Sequence, residues 1–271
     1  MTTTIAIAGC AGRMGRMLTA QVLDTEGAVL AGGTEHVQSP HLGADLGTLA
    51  GREAVGLTAT ADVGALFKEA QVVIDFTLPD AVATNAETAA RKGAALVIGT
   101  TGLGPEHQAA IDEAARSVAV VQAGNMSLGV NLLLGLARQV SAALGDSYDV
   151  EILEMHHRHK VDAPSGTALM LGQAVAAGRG VDLDAVSQRV RDGVTGERRP
   201  GDIGFATLRG GDVTGEHTVI FAGPGERLEL THKASSRGLF AAGAVTAALW
   251  CARQAPGRYD MLDVLGMRSG G

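Results

Sequence analysis

The sequence has few of the features that cross-link a chain or anchor it in a membrane. Cysteine occurs only twice, at Cys10 and Cys251, which is too few and too far apart for a disulfide scaffold or a cysteine zinc site. No run reaches the roughly 18 uninterrupted apolar residues that indicate a membrane span. The N-terminus also lacks the basic and long apolar segments of a signal peptide. We therefore expect a cytoplasmic protein with no membrane partner.

Positive charge is also scarce, because 22 Lys and Arg stand against 29 Asp and Glu and leave a formal net charge of −7. Phosphate contacts need concentrated Lys and Arg, so this balance disfavours a nucleic-acid partner. Glycine, in contrast, is abundant: it accounts for 38 of the 271 residues, against a usual share of roughly 7%. The 46% of apolar residues fall into periodic blocks, which excludes collagen and low-complexity disorder and indicates a fold with many tight turns.

The first half of the chain alternates short apolar runs with helical patterns. Runs with the apolar continuity of buried strands lie at 5–8, 28–31, 72–74, 95–98 and 118–121. Helical spacing follows at 14–23 and at 81–91, where Gly93 ends the pattern, and Pro105 suits the first turn of another helix. This alternation predicts an α/β fold whose N-terminal, Rossmann-type domain, residues 1–127, holds a parallel sheet covered on both faces.

The pattern changes after about residue 127. Strand candidates at 202–208, 216–221 and 227–232 are separated by glycine-rich turns, with one long helical stretch between Thr167 and Ala177. We expect residues 128–237 to form an α+β domain with an open mixed sheet, largely antiparallel. The alanine-rich stretch at 239–252 is helical in composition, so residues 238–271 are expected to complete the first domain.

A glycine-rich turn follows the first strand. Gly9, Gly12 and Gly15 form G-x-x-G-x-x-G between strand and helix, which lets backbone N–H groups at the helix start approach a pyrophosphate. Glu35 lies 20 residues beyond Gly15, after the second apolar run, where a carboxylate can accept hydrogen bonds from an adenosine ribose. The pattern predicts a dinucleotide site; the alternative is a turn that only lets helix and strand pack closely.

The choice between NADH and NADPH stays open. Glu35 would repel a 2′-phosphate, whereas Arg13, Arg16 and His36 can attract one. Use of both is compatible with this set. Cys10 lies in the same turn, where a helix start can stabilise a thiolate, but a small residue in a crowded loop is the simpler interpretation.

A histidine cluster is the other conspicuous feature. His156, His157 and His159 fall within four positions, followed by Lys160 and by Pro164-Ser165-Gly166-Thr167 at a predicted helix start. One alternative is a metal site shared by His156 and His159, but no carboxylate or thiol has matching spacing, and we expect no metal. Another is a solvated basic loop.

The interpretation we favour for this cluster is an acid and anion site. Histidine titrates near neutrality, Lys160 supplies a fixed positive charge, and the free N–H groups of a helix start that includes Ser165 bind a carboxylate. Such a site suits a small anionic substrate. Hydride reduction of a conjugated carbon–nitrogen double bond develops negative charge that must be protonated, so the two sites together describe a complete reductase.

Seven segments closely resemble motifs of the bacterial 4-hydroxy-tetrahydrodipicolinate (dihydrodipicolinate) reductase family of diaminopimelate and lysine biosynthesis. They lie at 8–16, 75–77, 99–102, 125–131, 154–168, 215–217 and 232–237, and the likeness covers essentially the whole chain. The resemblance implies NADH or NADPH as cofactor, a small dicarboxylate substrate, and a substrate-binding and oligomerisation role for residues 128–237. It also implies a cytoplasmic homotetramer built through the sheet of the second domain.

The resemblance assigns individual roles. His156 matches the general acid, Lys160 the second catalytic donor, and His157 with the backbone of Gly166 and Thr167 the contacts to the substrate's carboxylates. The residues that match cofactor contacts are Gly9, Cys10, Ala11, Gly12, Arg13, Met14, Glu35, Gly99, Thr100, Thr101, Ala123, Gly124, Asn125 and Met126.

Two further interpretations and a few residues stay open. The chain can instead be a related two-domain dehydrogenase of another substrate, or a non-catalytic sensor that binds the dinucleotide. His36 stands where many relatives have arginine, and Met126 where some have phenylalanine. Glu216, His217 and Arg237 suit strand ends and ion pairs as well as they suit a substrate cleft.

Overall fold

The computed structural model describes residues 2–268, so residue 1 and the last three residues of the predicted segment 238–271 lie outside the described residues. The chain divides into two compact units, one of residues 2–128 with 238–268 and one of Gly129–Arg237. The β-strands are β1 (Thr3–Ala8), β2 (Ala28–Thr34), β3 (Ala59–Thr60), β4 (Val72–Asp75), β5 (Ala95–Ile98), β6 (Ala119–Gln122), β7 (Asp149–His156), β8 (Ser187–Gln188), β9 (Ile203–Arg209), β10 (Gly215–Gly223), β11 (Glu226–Ala234) and β12 (Gly257–Tyr259). The α-helices are α1 (Arg13–Leu23), α2 (Leu46–Leu49), α3 (Val63–Glu69), α4 (Pro79–Lys92), α5 (Pro105–Ala114), α6 (Leu128–Leu144), α7 (Gly166–Arg179), α8 (Leu183–Val186), α9 (Gly238–Cys251) and α10 (Met261–Val264).

The first unit contains the predicted parallel sheet. Its strand order is β12-β6-β5-β4-β1-β2-β3, and each neighbouring pair is parallel. Alternate residues of each strand point to opposite faces, and both faces are apolar. Ile5, Ile7 and Ile74 pack with α1 and α9 on one face, whereas Ala6 and Val73 pack with α3, α4 and α5 on the other. A parallel sheet with helices packed on both faces is the architecture that the sequence predicts, so the predicted fold class is confirmed.

Helix boundaries in this unit follow local chemistry. Helices α4 and α5 both begin with proline, whose missing N–H costs nothing at the first helical position. Helix α4 ends at Gly93, which adopts a left-handed φ of 76° that a residue with a Cβ rarely adopts. These boundaries agree with the helix stop predicted at Gly93 and with the helix start predicted at Pro105.

The second unit holds a five-stranded sheet in the order β11-β10-β7-β9-β8. Strand β10 pairs antiparallel with β11 and β7, but β9 pairs parallel with both β7 and β8. The expectation of an open mixed sheet is confirmed. Most of its residue pairs are antiparallel, because β10 pairs with β11 over nine residues and with β7 over seven, whereas the parallel pairings cover seven and two. The parallel pairs arise because α7 and α8 carry the chain from β7 across one face of the sheet before β8 and β9 are added.

Two elements of the second unit were not predicted. Helix α6 has 17 residues, so the expectation of one long helical stretch is wrong. Leucines on all sides of this helix hide the spacing of its buried residues, Val130, Leu133 and Ala137. Strand β7 buries Val150 and Ile152 and then continues the same face with polar residues. The alternation of buried apolar residues therefore stops at Ile152, whereas the strand continues to His156.

Among residues 2–268, one helical stretch, Leu128–Ser147, is long and apolar enough by composition to cross a membrane. Core helices of globular units pass the same test. Leu133 and Ala137 of this helix pack in the hydrophobic core of the second unit. The stretch is therefore weak evidence for a membrane span.

Candidate active site

The residues predicted to bind a dinucleotide lie at one edge of the first sheet. Residues 9–14 follow β1, Glu35 and His36 follow β2, residues 99–101 follow β5, and residues 123–126 follow β6. Because all these strands are parallel, their carboxyl ends meet at the same edge, where open α/β sheets bind ligands. The fold therefore brings the whole predicted cofactor set together.

The turn after β1 is tightly built. The N–H groups of Gly9 and Cys10 both donate to the carbonyl oxygen of Thr34, at 2.8 and 3.0 Å. Gly9 has a φ of 74°, and a Cβ on Gly15 would overlap the Gly9 carbonyl oxygen and lie 2.7 Å from the carbonyl carbon of Cys10. The helix thus starts against the turn, and only glycine at position 15 permits this approach.

The start of α1 can receive an anion. Its N-cap is Gly12, which has no side chain to accept hydrogen bonds from the first helical turn. The helix dipole and these N–H groups favour a phosphate at this position. Glu35 lies beside the same turn and accepts hydrogen bonds from the N–H groups of Ala11, at 2.7 Å, and His36, at 3.3 Å. Arg13 and His36 are exposed near this edge.

Five of the predicted cofactor residues are buried: Cys10, Ala11, Thr100, Ala123 and Met126. Their backbone atoms are therefore better placed than their side chains to face a dinucleotide. Burial, with the charge of Glu35 as a smaller cause, raises the pKa of Cys10 to about 12. The thiolate alternative is therefore wrong, because Cys10 is a neutral thiol that fills the space left by Gly33 on β2.

Asp75, at the end of β4, is a buried carboxylate whose role the sequence did not indicate. It accepts hydrogen bonds from the N–H and hydroxyl of Thr77, at 2.8 and 2.6 Å, and from the side-chain amide of Asn85 at 2.8 Å. The hydroxyl of Thr100 donates to the carbonyl oxygen of Thr77 at 3.0 Å. Asp75 thus links the loops that follow β4 and β5, and so holds Gly99–Thr101 in place.

The second unit positions the histidine cluster. His156 ends β7 and is 8% exposed, whereas His159 in the following turn is exposed. The backbone N–H of Lys160 donates to the carbonyl oxygen of His157, and the ammonium of Lys160 lies 2.8 Å from Asp162. Because His156 lies in a strand and is nearly covered, the solvated-loop alternative is wrong for this residue.

The metal alternative finds no support. Within residues 2–268, no three His, Cys, Asp or Glu side chains are arranged to hold a metal ion. His156 instead pairs through Nδ1 with Glu154, at 2.6 Å. This pairing occupies Nδ1, one of the two ring nitrogens through which a histidine can bind a metal ion.

The start of α7 lies beside this histidine. Ser165 is the N-cap, and its hydroxyl accepts from the N–H of Ala168 at 3.2 Å and lies 3.1 Å from Nε2 of His217. These contacts engage Ser165 within the protein, and the residue is buried. Gly166, the first helical residue, is exposed and has open space around it. The helix start can therefore accept a carboxylate at the backbone of Gly166 more readily than at the Ser165 side chain.

Two charged residues and a histidine near His156 carry roles that the sequence analysis missed or left open. Glu154 is 1% exposed and pairs with Arg209 of β9 through two hydrogen bonds, at 2.8 and 2.9 Å. His217 of β10 lies with its ring centroid 5.1 Å from that of His156. Burial, assisted by the nearby His156, lowers the pKa of His217 to about 4, so it is neutral at pH 7. The structure thus places His217 beside the predicted acid.

Comparisons with known proteins cover both units. A family model described as dihydrodipicolinate reductase, N-terminus, matches residues 3–126, and one described as dihydrodipicolinate reductase, C-terminus, matches residues 129–265. A 4-hydroxy-tetrahydrodipicolinate reductase of Rhodopseudomonas palustris (strain TIE-1) is 56% identical over 97% of each chain, and one of Dinoroseobacter shibae is 56% identical over 97% of this chain and 98% of the relative.

Solved structures agree with these matches. A dipicolinate-bound dihydrodipicolinate reductase from Paenisporosarcina sp. TG-14 superimposes with a TM-score of 0.78 at 25% identity, over 97% of this chain and 99% of that one. An amine dehydrogenase from Mycobacterium smegmatis, with a TM-score of 0.60 at 14% identity over 95% of this chain and 94% of that one, shares the fold.

Proposed function

Because this chain belongs to the dihydrodipicolinate reductase family, we propose that it reduces 4-hydroxy-tetrahydrodipicolinate with a nicotinamide dinucleotide. The substrate is the (2S,4S)-4-hydroxy-2,3,4,5-tetrahydro form, which with NAD(P)H and a proton becomes tetrahydrodipicolinate, water and NAD(P)⁺. The observation that carries the proposal is the 56% identity to reductases of this name over 97% of the chain. The enzyme is thus an oxidoreductase of diaminopimelate and lysine biosynthesis.

The first unit fits the dinucleotide. Gly12 and Gly15 provide a helix start that a backbone-bound pyrophosphate can approach, and Glu35 stands where the adenosine ribose hydroxyls would be recognised. Loss of water from the 4-hydroxy substrate gives a conjugated imine, and the dinucleotide, when bound, would supply the hydride that reduces C4 of this imine. The backbone of Gly99–Thr101 and of residues 123–126 would hold the remainder of the cofactor at the same sheet edge.

The second unit supplies the acid and the anion contacts. Nδ1 of His156 faces Glu154, so Nε2 is the nitrogen that delivers a proton to C3 of the substrate. Lys160 contributes positive charge next to the dianionic substrate, as the second donor. His157 and the N–H groups of Gly166 and Thr167 bind the substrate's carboxylates.

Both dinucleotides are proposed as cofactors. Glu35 favours NADH by accepting from the ribose hydroxyls, while the exposed Arg13 and His36 offer positive charge to a 2′-phosphate. Arg16 is less available, because its guanidinium donates to the carbonyl oxygen of Ala11 at 2.8 Å and lies against His41.

Purified protein is expected to oxidise both NADH and NADPH when 4-hydroxy-tetrahydrodipicolinate is generated in place by the enzyme that makes it. The measurement is the loss of absorbance at the reduced nicotinamide band, with each cofactor in a separate run. Omission of the coupling enzyme is the control and should abolish oxidation. Dinucleotide binding without any oxidation would refute the proposed reaction and favour another substrate or a sensor.

We also propose a cytoplasmic homotetramer assembled through the second sheet. The face of this sheet opposite α6 and α7 presents apolar side chains that the unit's own core does not include, among them Leu153, Met155 and Ile220, and Leu208 is 47% exposed. Covering such a face is typical of oligomer interfaces. Light scattering should give four times the chain mass of 27.6 kDa. A particle of a single chain mass would contradict the tetramer.

A further inference from the structure

The carboxylate of Glu154 lies between the proposed acid and the proposed anion site. Residues two apart on a strand share a face, so Glu154 and His156 of β7 lie side by side in the interior of the second unit. Oxygen Oε2 of Glu154 is 2.6 Å from Nδ1 of His156, and Oε1 accepts from the N–H of Ser165 at 3.1 Å. One side chain therefore contacts both the histidine and the N-cap of α7.

Arg209 keeps this carboxylate charged. Burial opposes ionisation of Glu154, but hydrogen bonds from Arg209, His156 and the N–H of Ser165 outweigh it, and the pKa of Glu154 lies below its ordinary value. The guanidinium of Arg209 is itself held by the carbonyl oxygens of Leu208 and Asp162, at 2.6 and 2.7 Å. An ionised carboxylate only accepts hydrogen bonds, so the proton of the neutral His156 ring resides on Nδ1.

We propose that Glu154 is a positioning residue, which fixes the tautomer and orientation of His156 with one oxygen and the start of α7 with the other, while Arg209 serves as its counterion. This inference rests on the proposed function, since it assigns Glu154 a task in that reaction. It also gives a reason for the presence of a glutamate at a site that is almost completely closed to solvent. An apolar residue there would fit the alternation of β7 and leave His156 without a partner.

The charges that surround His156 define what loss of Glu154 would do. Those on other elements are Arg209 on β9, His217 on β10 with His232 opposite it on β11, and Lys160 with its partner Asp162 in the loop after β7. Burial lowers the pKa of His156, Lys160 and Arg209 lower it further, and Glu154 raises it. Glu154 is therefore the neighbour that favours the protonated ring, and its removal shifts the pKa of His156 downward.

We expect Glu154→Gln to move the alkaline limb of the pH profile of kcat/KM to lower pH. The protonated acid is present below its pKa, so a lower pKa means that activity declines from a lower pH upward. At pH 7 we expect kcat/KM to fall about tenfold, because a smaller fraction of His156 is then protonated. Titration of the histidine ring signals by NMR, with the His156 signal assigned from His156→Ala, should show the same shift.

Glu151→Gln is the matched control. Glu151 lies on the same strand and is also held by arginines, with Arg191 at 2.8 Å and Arg198 at 3.1 Å, but it has no histidine contact. The Glu151→Gln variant loses the same kind of ion pair, but the alkaline limb of its pH profile and the titration of His156 should stay at their wild-type positions. Glu154→Asp, which keeps the charge on a shorter side chain, should retain a limb nearer the wild-type pH than Glu154→Gln even where its rate is reduced.

The inference is overturned if Glu154→Gln leaves both the limb and the His156 titration unchanged, or if Glu151→Gln shifts them equally. The NMR titration needs no substrate. If the wild-type protein does not oxidise either cofactor, the proposed reaction fails, but the titration still decides whether Glu154 controls His156. If Glu154→Gln does not fold, the pH profile of kcat/KM for Glu154→Asp tests the inference instead. An alkaline limb displaced to lower pH, although Asp keeps the negative charge, would contradict the role given to that charge.

Discussion

Replacing His156 with alanine is expected to lower kcat by about two to four orders of magnitude, the usual contribution of a positioned general acid. The physical reason is that Nε2 is the ring nitrogen left for proton transfer once Nδ1 is engaged by Glu154. Lys160→Ala should also lower kcat steeply, because it removes the fixed positive charge beside the substrate's carboxylates. NADH binding, measured by nicotinamide fluorescence, should survive in both variants because neither residue belongs to the first unit.

His159→Ala is the control for both variants. His159 belongs to the same cluster but is exposed in the turn after β7, and its replacement should leave turnover close to wild type. Unchanged kcat in both His156→Ala and Lys160→Ala would contradict the assignment of this site. A loss of NADH binding in His156→Ala would instead indicate that the variant is misfolded or that the acid has another role.

Gly15→Ala is expected to weaken dinucleotide binding strongly and to destabilise the first unit. The added methyl group would overlap the carbonyl oxygen of Gly9 and crowd Cys10, so the turn and the start of α1 must move apart. Overpacking of this kind costs roughly 1–3 kcal/mol in free energy of unfolding, and the displaced N–H groups no longer face a pyrophosphate. Calorimetric titration with NADH and a thermal melt measure the two effects separately.

Gly64→Ala in α3 provides the comparison. A Cβ there meets only the Asp62 carboxylate, at 3.5 Å, and alanine favours a helix over glycine. NADH affinity should stay unchanged and the melting temperature should stay equal or rise slightly. Wild-type NADH affinity in Gly15→Ala would show that close approach of helix and turn is not required for cofactor binding.

Much of the first unit could be predicted from the sequence because its determinants are local. The buried strands β1, β4, β5 and β6 are continuous apolar runs, and proline and glycine mark helix boundaries directly. The family is confirmed by matches along both units. The histidine cluster also stood out, since its three histidines and the lysine lie within five consecutive positions.

The partners of that cluster could not be predicted in the same way. Glu154 looked like one more charged residue, because a buried glutamate breaks the apolar alternation by which strands are recognised. Arg209 lies 55 residues after Glu154 in the sequence, and His217 lies 61 residues after His156. Glycine-rich turns separate these segments. Nothing in their local sequence distinguishes them from surface charges or core histidines.

The sequence by itself determined the strands, turns and helix starts of the dinucleotide site, because backbone conformation there depends on neighbouring residues and on glycine. Only the tertiary structure decided which side chains face His156. The register of the second sheet sets Glu154 opposite His217 on β10 and beside Thr207 on β9, two residues from Arg209. That register results from how the core of the whole unit packs, and a shift of one residue would turn these side chains to the other face.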